Sequence, residues 1–188
     1  AIMRLTNGGR VVIVGGGPAG SFAALHLIRF ARESGLTLEV RILEPRDFSR
    51  PGPGGCNKCA GIVSSALAHD LQTLGLNLPD EVIQAELDTY ILHLDKTELP
   101  IHRPDSGRHL ISVYRGGGPR LGALPIPMSF DGWLLEQAKE RGAIVQRAQV
   151  RSIQPGSRPL IVMAQETIEA DLVILATGVN SRTPLDSA

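Results

Sequence analysis

Residues 11 to 24 read Val-Val-Ile-Val-Gly-Gly-Gly-Pro-Ala-Gly-Ser-Phe-Ala-Ala. An apolar run leads into a glycine turn, and the turn opens a segment of small residues with helical character. Gly15 permits the sharp turn, Gly17 lets backbone approach a diphosphate closely, and Gly20 lets the new helix lie against its own strand. The helix start at Pro18 and Ala19 turns its N–H groups and positive dipole end toward any anion held there. Glycines at this spacing are weak evidence by themselves, so what surrounds them has to carry the reading.

That surrounding sequence agrees. The helical segment closes near Gly35, a C-terminal helix glycine. A second strand, Leu38-Glu39-Val40-Arg41-Ile42-Leu43, ends in Glu44, 24 positions after Gly20 and near the roughly 20 expected for a ribose-binding acid. A carboxylate there accepts hydrogen bonds from ribose hydroxyls and repels a 2′-phosphate, which disfavours an NADP-type ligand. Pro45 and Arg46 follow it in sequence. The plainer alternative is a β-α-β unit with a glycine turn and a solvated acid.

Composition narrows the class. Nineteen basic residues balance nineteen acidic ones, which leaves no electrostatic footprint for nucleic acid or an anionic membrane. No apolar run reaches the roughly 18 residues of a membrane span, and the N-terminus carries no secretory apolar region. Two cysteines, Cys56 and Cys59, imply no disulfide framework. The expectation is a cytoplasmic protein, peripheral to a membrane only if its substrate is a lipid.

Further along, strands are expected at 10–14 and 38–43, with helix 18–33 between them. A Pro/Gly-rich loop spans Pro45 to Cys59, and a helix follows from Gly61 to about Leu74, with Val63, Leu67, Leu71 and Leu74 on one stripe. Residues 87–94 and 109–114 alternate like half-buried antiparallel strands. Helical pattern returns from Phe130 to Arg141, with Ser129 or Asp131 in front and Gly142 behind. Short strands follow at about 143–147, 149–154 and 159–164, with Pro155-Gly156 as a turn. A buried parallel strand from Asp171 ends in Ala176-Thr177-Gly178, residues small enough for a cofactor to pass close to the backbone.

The N-terminal glycines with Ala24, the acid closing the second strand, and Ala176-Thr177-Gly178 together resemble the two-dinucleotide-binding-domain flavoproteins. The segment from Phe130 through Ala143 is similar to the corresponding helix and strand of p-hydroxybenzoate-hydroxylase-like enzymes. Cys59-Ala60-Gly61 and Tyr114-Arg115-Gly116-Gly117-Gly118 are similar to the geranylgeranyl reductase branch, a neighbour of the electron-transfer-flavoprotein quinone oxidoreductases.

The resemblance implies an α/β fold: a Rossmann-like FAD/NAD(P)-binding domain with a central parallel sheet, a β-meander and an inserted antiparallel strand segment. Residues 1–80 and 128–188 would form the FAD-binding domain, and 81–127 would belong to an incomplete substrate domain. It further implies that Gly15, Gly17, Pro18, Ala19 and Gly20 hold the diphosphate of FAD, while Glu44, Pro45 and Arg46 hold the ribose end. The backbone of Val150 would meet the adenine and Ala176, Thr177 and Gly178 would line the flavin nucleotide. Cys59, Ala60 and Gly61 would lie along the ribityl or flavin part.

Two departures from the family pattern stand out. Pro127 occupies the place of an arginine four residues before the helix aspartate, with Arg115 or Arg120 as substitutes, and the downstream Gly-Asp motif is not among these residues. The chain is therefore read as the N-terminal portion of a longer flavoprotein.

The implied activity is an FAD-dependent oxidoreductase acting on a small apolar substrate, with NAD(P)H or a protein as electron donor. Two other readings stay open: a flavin monooxygenase of the aromatic hydroxylase type, and a non-catalytic module binding NAD or an adenine nucleotide. Cys56-Asn57-Lys58-Cys59 could be a redox pair, half a metal site or simply packed thiols, and with no further cysteine the metal option is the weakest. His26, His69, His93, His102 and His109 show no metal spacing. Tyr114 and Arg115 could touch substrate or flavin, and no side chain is singled out as catalytic.

Overall fold

A computed structural model describes residues 4–49, 61–102, 110–115, 128–178 and 184–185. The chain divides into two compact units, Ala1–Asp47 with Asp131–Ala188, and Phe48–Phe130. This division groups residues 48–80 with the antiparallel strands, whereas the sequence pattern groups them with the N-terminal unit.

In the first unit, β1 (Arg10–Val14), β2 (Glu39–Leu43), β8 (Ile144–Gln146) and β12 (Leu172–Leu175) form a sheet in the order β12-β1-β2-β8, parallel throughout. Strands buried on both faces need apolar residues at every position, not at alternate ones. That is why Val11 to Val14 reads as an unbroken apolar run, and all four are buried. One face receives α1 (Pro18–Glu33), whose Gly20, Ala24, Leu25, Ile28 and Ala31 are buried. Proline at its first turn and a following stretch of Ala and Leu favour helix there. The helix closes where the Leu36 N–H reaches the Ala31 carbonyl at 2.8 Å and the Gly35 N–H reaches that of Arg32 at 3.1 Å, around Gly35 at φ +67.

The opposite face is covered by an antiparallel meander of β9 (Val150–Gln154), β10 (Leu160–Met163) and β11 (Thr167–Glu169). Val12, Val14 and Leu43 of the parallel sheet share one buried cluster with Ile153, Ile161 and Met163 of the meander and with Ala170. The α3 helix (Phe130–Glu140) bridges the two units in sequence, and from its end the Arg141 carbonyl accepts from Arg32 Nη2 at 2.7 Å. Residues Pro184 and Leu185 return to the meander: the Ile153 N–H donates to the Pro184 carbonyl at 2.7 Å and Leu185 bridges Ile153 in parallel.

The second unit contains β3 (Ile62–Val63), α2 (Ser65–Thr73), β4 (Ile83–Leu87), β5 (Thr89–Leu94), β6 (Thr97–His102) and β7 (Leu110–Val113). Strands β3, β7 and β4 make one antiparallel sheet, while β5 and β6 form a separate hairpin.

Several elements differ from the sequence expectation. The helix expected from Gly61 begins at Ser65, because Ile62 and Val63 pair with Ser112 and Ile111 of β7. Ser64 caps the shortened helix by accepting the Leu67 N–H at 3.3 Å. The strand expected over 87–94 begins as β5 at Thr89, because Leu87 closes a separate strand, β4, by pairing with Leu110 of β7. Strand β6 lacks an obvious signal because Pro100, which cannot donate to a ladder, sits inside it. Strand β11, three residues long, also has too little pattern to read.

Candidate functional site

The glycine turn after β1 is built from close backbone approaches. Gly15 has φ +109, a region that L side chains rarely adopt, and a Cβ there would collide with the Ala176 carbonyl oxygen after β12. The Ala176 N–H in turn donates to the Val14 carbonyl at 2.8 Å, which ties the ends of β1 and β12 together. A Cβ on Gly20 would collide with the Gly15 carbonyl oxygen and crowd Ile13 Cγ2 at 3.2 Å. Gly15 and Gly20 thus answer to the protein's own packing.

Gly17 does not. Its backbone is extended (φ −67, ψ −176), and a Cβ there would come within 4 Å only of Arg46 Nη2 among the described residues, at 3.3 Å. Gly17 is also the N-cap of α1, with no side-chain cap, and the first turn of α1 contains no acidic residue. The first N–H groups of a helix have no intrahelical acceptor. The turn therefore combines open space at Gly17, helix-start N–H groups that have no intrahelical acceptor and the positive end of a helix dipole, the physical requirements for an anion.

Glu44 stands beside this turn and is only 3 % exposed. Its Oε2 accepts the Gly16 N–H at 2.7 Å and Arg46 Nη2 at 3.0 Å, while Oε1 accepts the Arg46 backbone N–H at 2.8 Å and Arg46 Nε at 2.9 Å. Burial alone would push the carboxyl group up. Hydrogen bonds and charge from Arg46, with the Gly16 N–H, outweigh it and hold Glu44 below the ordinary carboxylate value. The site therefore contains a buried, ionised acid.

A cavity of about 210 Å³ lies at this place, bounded by Gly15 of the turn, by Glu44, Pro45 and Arg46 after β2, by Gln149 and Val150 at the start of β9, and by Thr177 after β12. Drug-sized sites run to roughly 300–1,000 Å³, so this cavity is small. Six residues selected from sequence (Gly15, Glu44, Pro45, Arg46, Val150 and Thr177) converge on it from four separate parts of the chain. Ala148, Gln149 and Pro184 also line it and were not anticipated. Gln149 could have been found as the neighbour of Val150, but Pro184 arrives only through the long-range bridge to β9.

Gly17, Pro18, Ala19 and Gly20 form the turn and first helical residues next to Gly15, and Gly178 (φ +85) ends the segment after β12. Gly61 belongs to the second unit, where a Cβ would collide with the Val113 carbonyl oxygen, so the antiparallel sheet itself calls for glycine. Tyr114 in that unit is buried, its N–H donating to the Val82 carbonyl at 2.9 Å. Cys56, Cys59, Ala60, His109, Gly116 to Gly118, Arg120 and Pro127 lie outside the described residues. Among the described residues there is no group of three or more His, Cys, Asp or Glu able to hold a metal, and no helix is long and apolar enough to cross a membrane.

No family model matches the chain. The FixC proteins of Salmonella typhi and Salmonella typhimurium are each 32% identical to it over 176 residues, covering 90% of this chain and 36% of theirs. The chain thus spans little more than a third of the length of these curated relatives.

Among solved structures, the flavin-dependent halogenase CmlS matches 94% of this chain and 30% of its own, with TM-score 0.63 and 22% identity. The p-nitrophenol 4-monooxygenase PnpA from Pseudomonas putida matches 95% of this chain and 42% of its own, with TM-score 0.62 and 17% identity. CtdE, solved in complex with FAD, matches 93% of this chain and 39% of its own, with TM-score 0.54 and 18% identity. At these identities the likeness establishes the fold: a mixed α/β domain of the type that binds FAD in flavin-dependent oxidoreductases.

Proposed function

We propose that this chain binds FAD and forms the nucleotide-binding portion of a flavin-dependent oxidoreductase. The observation that carries the reading is the convergence of the glycine turn, Glu44, Val150 and Thr177 on one cavity. Gly17 is open, α1 starts without a cap, and the acid beside them is buried and ionised, all of which fit a ligand carrying both a diphosphate and a ribose diol. Gly15 to Gly20 would hold the diphosphate, Glu44 the ribose, Val150 the adenine, and Ala176 to Gly178 the path toward the flavin. The isoalloxazine supplies the redox chemistry when FAD is bound, and the protein supplies binding and orientation.

The finer reading is a geranylgeranyl-reductase-like enzyme that accepts electrons from NAD(P)H or a protein and acts on a small apolar substrate. It rests on the Cys59-Ala60-Gly61 and Tyr114-Arg115-Gly116 motifs. The fold of PnpA and CmlS favours a second reading, a flavin monooxygenase of the aromatic hydroxylase type, since one fold supports both chemistries.

Titration of the purified, flavin-free protein with FAD, NAD and ADP, followed by flavin fluorescence and calorimetry, tests the cofactor. Saturable FAD binding tighter than that of ADP is expected. FAD held no better than ADP would leave an adenine-nucleotide module instead. Oxygen consumption with NAD(P)H stimulated by an aromatic substrate separates the monooxygenase from the reductase.

A further inference from the structure

The Glu44 carboxylate is fully occupied. An ionised carboxylate offers about four lone-pair sites, and here each oxygen accepts two hydrogen bonds. Two of the donors are backbone N–H groups, those of Gly16 on Oε2 and Arg46 on Oε1. The other two come from one guanidinium, Arg46 Nη2 on Oε2 and Nε on Oε1. A ribose hydroxyl approaching Glu44 finds no acceptor site until the guanidinium leaves.

The arrangement left by its departure is specific. The backbone donors stay, and one lone-pair site opens on each oxygen. Two adjacent O–H groups, such as the 2′,3′-diol of a ribose, match the pair of parallel N–H groups that Arg46 presents as a fork. The guanidinium thus stands where the diol would stand. It also lies over the glycine turn, with Nη2 3.3 Å from the position of a Cβ on Gly17. A cation displaced from Glu44 at this place meets the anion that the turn and the α1 N-terminus would hold.

We propose that Arg46 is a latch on the nucleotide site: its fork closes on Glu44 and is opened by a ligand that brings a ribose diol and a diphosphate together. The diol takes the place of the fork on Glu44, and the diphosphate receives the released guanidinium. A nucleoside without phosphates breaks the Arg46–Glu44 fork and supplies no phosphate in return, so the latch makes the site selective for diphosphate-bearing nucleotides. This inference rests on the adenine-dinucleotide reading given above.

Calorimetric binding of adenosine, ADP and 2′-deoxy-ADP to the purified, flavin-free protein tests it, with Arg46→Gln and Arg46→Lys as variants. Glutamine removes the charge, whereas lysine keeps a charge and loses the planar fork. The wild type is expected to prefer ADP to both adenosine and 2′-deoxy-ADP. In Arg46→Gln, adenosine affinity rises about tenfold, a change of one decade in Kd, and ADP affinity is unchanged or falls, so the preference for ADP collapses. Arg46→Lys also binds adenosine more tightly while keeping most of its ADP affinity, and it carries the comparison alone if the glutamine variant does not fold. Binding of ADP with an unchanged ADP-to-adenosine ratio in the variants overturns the latch and leaves the nucleotide reading standing. Absence of ADP and FAD binding in the wild type and both variants overturns the nucleotide reading, and the latch with it.

Discussion

Gly17 faces Arg46 across the open side of the glycine turn, whereas Gly15 faces the Ala176 backbone across its closed side. Two glycines of one motif thus answer to different constraints, and substitution separates them. Gly15→Ala forces a side chain into a backbone contact at φ +109 and should cost about 3 kcal/mol or more, in the range of strained backbone combined with overpacking. Gly17→Ala has an ordinary φ and a flexible neighbour, so its effect on stability should stay within about 1 kcal/mol. Thermal denaturation of both variants measures this difference. In FAD titrations Gly17→Ala should lose about tenfold or more in affinity while remaining folded, because the methyl group stands in the space a diphosphate would fill. Full FAD affinity in Gly17→Ala would remove the diphosphate from this turn.

The buried carboxylate predicts how stability follows pH. Glu44 is held below its ordinary value of 4.5 in the folded protein, so the folded state binds its proton less readily than the unfolded chain does. Its contribution is fully present above the unfolded value and is lost as pH falls through the lower folded one. The thermal midpoint of the wild type should therefore fall as the solution is acidified below about pH 4.5, and Glu44→Gln should lack that component. At neutral pH the same variant should be less stable by roughly 2 kcal/mol, since the backbone N–H groups of Gly16 and Arg46 lose a charged acceptor that is itself buried, while the arginine side chain is 37 % exposed. Parallel slopes for wild type and variant on the acid side would rule out Glu44 as the titrating group.

Val150 gives a more local test of the cavity. It packs against the buried cluster between sheet and meander and also lines the cavity. Val150→Phe adds volume on the cavity side, and its cost in stability should stay below about 1.5 kcal/mol because empty space takes the ring. ADP affinity should drop about tenfold if the adenine lies there. An unchanged ADP Kd with a folded variant would move the adenine elsewhere.

The first unit was legible where its signals were local. The Val11–Val14 run, the turn glycines, the helix end at Gly35 and the acid after β2 each identify a structure from a few adjacent residues. Glu44 and Thr177 could be collected into one site because each follows the end of a strand of the parallel sheet, where ligands gather, whereas Val150, which opens the antiparallel β9, came only from the family resemblance. What stayed hidden depends on partners distant in sequence. Arg46 was selected for its place after Glu44, but nothing in the sequence indicates that its fork closes on that carboxylate. Pro184 reaches the cavity only because Ile153 hydrogen-bonds its carbonyl. In the second unit, the Val63-Leu67-Leu71 stripe mimics one continuous helix, and the pairing of Ile62 and Val63 with β7 overrides it.

The β5–β6 hairpin carries the last prediction. Its register places Tyr90 opposite Ile101 and Leu92 opposite Leu99, with Leu94 following at the same alternation. These five apolar residues share one face, and each is 43–58 % exposed. The opposite face is more polar, with Thr89 Oγ1 hydrogen-bonded to His102 Nδ1 at 3.0 Å and His93 paired with Glu98 at 2.9 Å. A contiguous apolar surface above roughly 400 Å² favours association, and a two-stranded ribbon gains little stability by itself. The purified chain should therefore self-associate as concentration rises. Replacing the facing pair by Leu92→Lys with Leu99→Glu puts opposite charges across the ladder, which supports strand pairing by about 0.2–1 kcal/mol while interrupting the apolar face. Sedimentation velocity should show the double variant shifted toward monomer, with its thermal midpoint and FAD affinity unchanged. Equal association in wild type and variant would assign the contact to a different surface.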